Sequence, residues 1–138
     1  MKYIDCEKCA QEILDEVKQV NNNKYFAIVS VGDNPASQSY IKGKIKDCME
    51  CGIPYIHRHI SVTNDELAQS ELKETLYDLR HNYNVSAMIL QLPLPDGWNE
   101  AEYLSYIPAK KDVDGLNNDS MFAPCTPEGV VYILKKEL

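Results

Sequence analysis

Two short apolar runs constrain this chain most: residues 24–31 (KYFAIVSV) and residues 86–92 (SAMILQL). Neither alternates polar with apolar, so a strand made from either has no face to give to water. Such a strand has to be covered on both sides, the condition of a parallel sheet sandwiched by helices. The segments around them carry the cover. Residues 6–20 place Cys9, Ala10, Ile13, Leu14 and Val17 at a helical period, with Asn21, Asn22 and Asn23 as terminators. The stretch after 24–31 turns at residues 32–35, offers Ser37 as an N-cap and runs helically to about Cys51, where Gly52 suits a left-handed stop. Its expected buried stripe is Ile41, Ile45, Cys48 and Met49, with Tyr40, Lys44 and Asp47 on another side.

The remainder repeats the alternation. Residues 54–62 (PYIHRHISV) read as a strand, and Thr63-x-x-Glu66 is a capping box for a helix to about His81 with Leu67, Leu72, Leu76 and Leu79 inward. LPLPDG closes the strand at 86–92 as a stiff turn. Asn99 caps a short helix, residues 108–115 (PAKKDVDG) form a polar connection, and Thr126-Pro127 opens a last helix. The order α-β-α-β-α-β-α-loop-α predicts an α/β fold: a three-layer αβα domain with a small, mainly parallel sheet. At 138 residues the chain is the size of one domain, residues 1–138.

A net charge of −7 argues against a nucleic-acid partner, as does the want of a basic patch among the nine tyrosines. No apolar run approaches a membrane span, and the charged N-terminus lacks the apolar core of a signal peptide. Five cysteines, an odd number, read as reduced cytoplasmic thiols. Cys6-x-x-Cys9 and Cys48-x-x-Cys51 resemble zinc knuckles superficially. Their separation is too long for a compact ribbon and both lie on helical patterns, so buried structural cysteines explain them better. His57 and His59 share a strand face and could hold a metal. They lack a third ligand at useful spacing, so an edge or surface role is favoured and no metal site is expected.

Three polar features fall at predicted strand ends, where open α/β sheets bind ligands: Ser37, Tyr40 and Lys44; Gln91; and Asp112 with Asp114. Tyr40 and Lys44 are one helical turn apart, so a phenol and an amine share a face. From spacing alone, a solvent-facing pair with Lys44 near Asp47 or Asp33 is the more economical reading. Gln91 within AMILQLPLP needs a partner, either local backbone or a neighbour or ligand. The two aspartates also suit an ordinary turn. There is no G-x-G-x-x-G dinucleotide fingerprint.

Taken together, VGDNPASQSYIKGK, LQLPLPDG, PAKKDVDG and PCTPEGVVYILKK go further. In this order and at these positions they resemble the N-terminal catalytic domain of the bifunctional methylenetetrahydrofolate dehydrogenase/methenyltetrahydrofolate cyclohydrolase (FolD) family. The resemblance covers nearly the whole chain. It implies folate one-carbon chemistry: NADP-dependent oxidation of 5,10-methylenetetrahydrofolate and hydrolysis of the 5,10-methenyl form to 10-formyltetrahydrofolate. By motif, Lys44 would be the proton-transfer residue, Tyr40 would stack on the folate ring, and Gln91 would hydrogen-bond and orient Lys44. Asp114 would hold the polar pterin edge, with Ser37 and Leu92 at the same site. Some family members confined to the dehydrogenase step lack this lysine, so its presence points to cyclohydrolase capacity.

The residue types suit that chemistry. The methenyl carbon belongs to a cationic amidinium that water attacks; a neutral amine takes the water's proton and returns one as the ring opens. The substrate cation and desolvation both favour the neutral amine, and a carboxylate suits a pterin edge that presents N–H donors. Two departures bear on the reading. The resemblance places NADP on a further Rossmann domain beyond this sequence, so no cofactor is expected on this chain and dehydrogenase activity is not expected from it alone. The segment LNNDSMFA is also shorter than the family's usual connection, which bears on the far wall of the cleft and on Asp114. The family often dimerises, largely through that further domain, so a homodimer is an expectation for the full-length enzyme. The alternatives are a non-catalytic folate-binding module, an inactive fragment, or a domain of the same architecture from another two-domain dehydrogenase.

Overall fold

The structure, a computed structural model, describes residues 3–21 and 23–137. Strand β1 (Tyr25–Val31) is central, with β2 (Tyr55–Ile60) and β3 (Val85–Leu90) paired to it in parallel, giving the order β2-β1-β3. Helix α1 (Cys6–Lys18) precedes β1, α2 (Pro35–Cys51) and α3 (Asp65–His81) carry the two crossovers, and α4 (Glu100–Leu104) and α5 (Cys125–Glu137) follow the sheet. This is the expected three-layer α/β architecture. Because neighbouring residues of a strand face opposite ways, Ala27, Val29 and Val31 join Leu72, Leu76 and Leu79 of α3 in one core. Ile28 and Ser30 face the α1–α2 side and are equally shut off from water.

Several boundaries differ from expectation, each for a local reason. Asn34, not Ser37, caps α2: its side-chain oxygen accepts from Ser37 N at 3.0 Å, and Pro35 takes the first helical position. Asn64, not Thr63, caps α3 by accepting from Leu67 N at 3.0 Å. Leu67 consequently falls in the first turn and is exposed, and the inward position goes to Ala68. On α2 the stripe is Ile41, Cys48 and Cys51, with Ile45 half-buried; Met49 is exposed. Helix α5 begins at Cys125, one residue before the expected Thr126 cap, and Pro127 sits in its first turn, where an N–H has no intrahelical partner to lose. Helix α1 stops at Lys18, and Asn22 of its predicted terminator lies outside the described residues. Gly52 ends α2 at φ 69°, and Asn99 caps α4, both as expected.

The strands are shorter than the apolar runs. β2 begins at Tyr55 and ends at Ile60, and β3 ends at Leu90, so Gln91 and Leu92 lie beyond it. Gln91 N still donates to Val29 O at 2.8 Å, so the chain leaves β3 in register with β1. The KDVDG segment then runs beside the outer edge of β3: Met88 and Asp112 form a parallel bridge, with Met88 N donating to Lys111 O at 2.8 Å. Lys111 fixes the start of that segment. Its Nζ donates to Leu79 O, Arg80 O and Asn82 O at 3.2, 2.9 and 3.0 Å, three carbonyls at and just past the C-terminal end of α3.

The turn after the bridge is closed by Asp112, whose carboxylate accepts from Asn117 N at 2.9 Å while Ser120 Oγ donates to its carbonyl at 2.9 Å. Asn117 Nδ2 reaches Leu104 O and Ile107 O, tying the short LNNDSMFA connection to the end of α4. Gly115 in this turn has φ 67°, and a Cβ there would lie 2.6 Å from the backbone of Ala123 and Pro124. Gly115→Ala therefore combines a disfavoured backbone with a collision that a side-chain movement cannot relieve. We expect a loss of about 2 kcal/mol or more, measurable as a lowered midpoint in thermal unfolding.

Candidate active site

The candidate residues collect where β1 and β3 end. Along the sheet, Gln91 follows β3 and α2 starts four residues after β1, so the first turns of α2 overhang the exit of β3. There Lys44 Nζ donates to Gln91 Oε1 at 2.6 Å, and Gln91 Nε2 donates onward to Leu92 O at 3.0 Å. The amide thus meets both a neighbour and local backbone, with its carbonyl committed to the lysine. Ser37, freed from capping, turns its Oγ to the same Leu92 carbonyl at 3.3 Å and is 7% exposed. Ser37, Lys44, Gln91 and Leu92 are therefore linked by hydrogen bonds. Lys44 does not pair with Asp47 or Asp33 as the solvent-facing alternative required. Tyr40 belongs to the same helix one turn earlier but projects outward, 64% exposed, with its ring open to a ligand.

Asp114 arrives from the other side of β3. It lies two residues beyond the Met88–Asp112 bridge, which brings it level with the end of the strand, and it is half-buried. Asp112 is only 1% exposed and serves the turn itself, whereas Asp114 keeps part of its surface open. One site neighbour escaped the sequence reading. Cys125, within the PCTP motif, donates its thiol to Val113 O at 3.5 Å and feels the charges of Asp114 and Lys44. The residue is exposed as a whole, but its sulfur is tucked against the turn. Burial pushes the thiol up from its ordinary value, the carboxylates of Asp114 and Asp112 add to this, and Lys44 opposes it. The signal was available: the cysteine stands in a quoted motif, but only the fold places it beside Asp114.

The other cysteines are structural or free. Cys9, Cys48 and Cys51 are buried, and Cys51 donates to Leu14 O across the α1–α2 contact, while Cys6 is exposed. Burial, followed by the charges of Asp47 and Cys51, raises the Cys48 thiol. The residues present do not suit a dinucleotide. The sequence has no Gly-rich fingerprint, and the N–H of Gly32 in the first strand–helix turn is already spent on Ile60 O at 3.0 Å.

Residues 4–114 match the family model described as the tetrahydrofolate dehydrogenase/cyclohydrolase catalytic domain, and the chain belongs to that family. A curated relative, the bifunctional protein FolD of Campylobacter jejuni, is 37% identical over 98% of this chain and 53% of its own length. The crystal structure of the Campylobacter jejuni bifunctional FolD enzyme superposes with a TM-score of 0.88 at 35% identity, covering 96% of this chain and 52% of that one. A methylenetetrahydrofolate dehydrogenase from the silkworm, Bombyx mori, gives 0.86 at 26% identity over 99% of this chain and 52% of that one. The chain thus spans about half the length of the relatives it matches.

The charges around Cys125 make its reactivity a probe of the site. We expect its alkylation rate, followed by mass spectrometry of the Cys125 peptide, to rise with pH at a midpoint above that of a free thiol. Asp114→Asn should move that midpoint down by removing a negative neighbour. Lys44→Met should move it up by removing the positive one.

Proposed function

We infer that this chain is the folate-binding, cyclohydrolase-bearing domain of a methylenetetrahydrofolate dehydrogenase/cyclohydrolase, and that it hydrolyses 5,10-methenyltetrahydrofolate to 10-formyltetrahydrofolate. The observation that carries the reading is the 2.6 Å bond from Lys44 Nζ to Gln91 Oε1 at the exits of β1 and β3. An amide carbonyl accepting from the amine fixes its direction without adding a charge beside it.

On this reading each residue takes a role that its position supports. The exposed ring of Tyr40 offers a stacking surface for the pterin, and Asp114 accepts from the N–H donors of its polar edge. Water attacks the methenyl carbon between two nitrogens, forming a C–O bond while Lys44 takes the proton released by the water. Lys44 then returns a proton to the ring nitrogen that leaves. That C–N bond breaks, the carbon becomes a formyl group, and the hydroxyl proton passes to solvent. Ser37 and Leu92 form the rim through their shared hydrogen bond. NADP chemistry belongs, on this reading, to a further domain of the full-length enzyme, in which a homodimer is also expected. The cytoplasm fits a chain with free thiols, and among the described residues no helix is long and apolar enough to cross a membrane.

Decay of the methenyl absorbance tests the reading. The chain should accelerate it, and Lys44→Met should reduce the acceleration by about 100-fold or more, with Gln91→Leu close behind. If the unaltered chain only matches the uncatalysed rate, the isolated domain is not an enzyme. Calorimetry then separates the alternatives: folate binding without turnover means a binding module, and no binding means an inactive fragment.

A further inference from the structure

On the other side of α2 from Tyr40, the α1–α2 face of the sheet carries a polar group that the folate reading does not use. Ser30 on β1 lies beside β2, in register with His59, and Ile28 is in register with His57. Its buried Oγ sits 2.9 Å from His57 Nε2 and 2.9 Å from His59 Nδ1, so two imidazole nitrogens from one strand converge on one hydroxyl of the next. The opposite nitrogen of His59 faces Asp33 Oδ1 at 3.9 Å. In front of the group is a cavity of about 340 Å³, bordered by Gln38, Ile41, Lys42 and Ile45 of α2 and reaching Gln91.

We propose that His57 Nε2 and His59 Nδ1, with the Ser30 hydroxyl between them, form a binding site for a single borderline divalent transition-metal ion such as zinc. Among the described residues no three His, Cys, Asp or Glu side chains converge as a ready cage. The third protein ligand is therefore the hydroxyl, supplied by the neighbouring strand, and water in the cavity completes the shell. Two imidazoles at alternate positions of a strand suit such ions because both rings project from one face. Asp33 stands where a carboxylate orients a ligating histidine through its other ring nitrogen. The ring centroids are 6.3 Å apart. Metal–nitrogen bonds of about 2.0–2.1 Å put a tetrahedral pair about 5 Å apart, so the rings have to close by roughly 1 Å. Both are exposed on an edge strand and face open space, which makes that movement inexpensive.

Cobalt(II) titration of the metal-free chain, read by visible absorption and calorimetry, tests the site independently of any folate activity. One ion per chain should bind with nitrogen–oxygen ligand-field bands and no thiolate charge-transfer band. His57→Ala and His59→Ala should each weaken binding at least about tenfold, and Asp33→Asn about tenfold. His81→Ala should leave it unchanged. Thiolate absorption would assign the ion to the cysteines and overturn the proposal. Binding that survives loss of both His57 and His59 would overturn it too, as would no binding at millimolar cobalt. The spectrum of the unaltered chain decides between imidazole and thiolate even if a variant fails to fold.

Discussion

Burial of β1 on both faces and along both edges is the constraint from which the rest follows. Its backbone is hydrogen-bonded to β2 on one side and to β3 on the other, and its side chains from Ala27 to Val31 are shut off from water. A strand so enclosed can be left only at its ends. The chain departs from its C-terminal end through a turn that needs a glycine with positive φ, Gly32, and an asparagine that starts α2. The polar residues that follow are thereby delivered to the exit of the sheet. The adjacent strand, still in register at Gln91, delivers its own polar residue to the same place.

The fold was largely legible because the apolar runs have only one way to be covered. Helix and strand order, the parallel sheet, Gly52 and Asn99 all follow from patterning and local stereochemistry. What was misread were competitions between neighbours of similar chemistry. Asn34 and Ser37, or Asn64 and Thr63, can all accept a backbone N–H, and the winner depends on which side chain sits one residue before the first helical turn. The errors at Met49 and Leu67 have the same origin, since each residue fits a helical period but the sheet touches only part of that face.

The site was legible in a different way. Spacing put Tyr40 and Lys44 on one helix face but favoured solvent, and the family motifs supplied Gln91 and Asp114 as companions. The hydrogen bond between Lys44 and Gln91 is a long-range fact, joining residues 47 positions apart, so no local pattern contains it. The same holds for the contacts from Ser30 to His57 and His59, which span 27 and 29 positions and join the exposed edge pair to a buried hydroxyl. Cys125, the first residue of α5, was missed because the motif that contains it does not say which carboxylate the fold will place beside it.

The three carbonyls held by the Lys111 ammonium have a consequence for how the domain responds to force and to chemistry at a distance. One amine gathers the frayed end of α3 and the strand-like start of the KDVDG turn into a single knot, on the far side of the sheet edge from α2. Burial and the nearby charge of Lys24 lower its proton affinity, while the three carbonyls are the acceptors that hold it in place. Any acylation of that nitrogen, or its replacement by the planar fork of an arginine, would slacken α3 and the Asp114 turn together, although neither touches the other at the cleft.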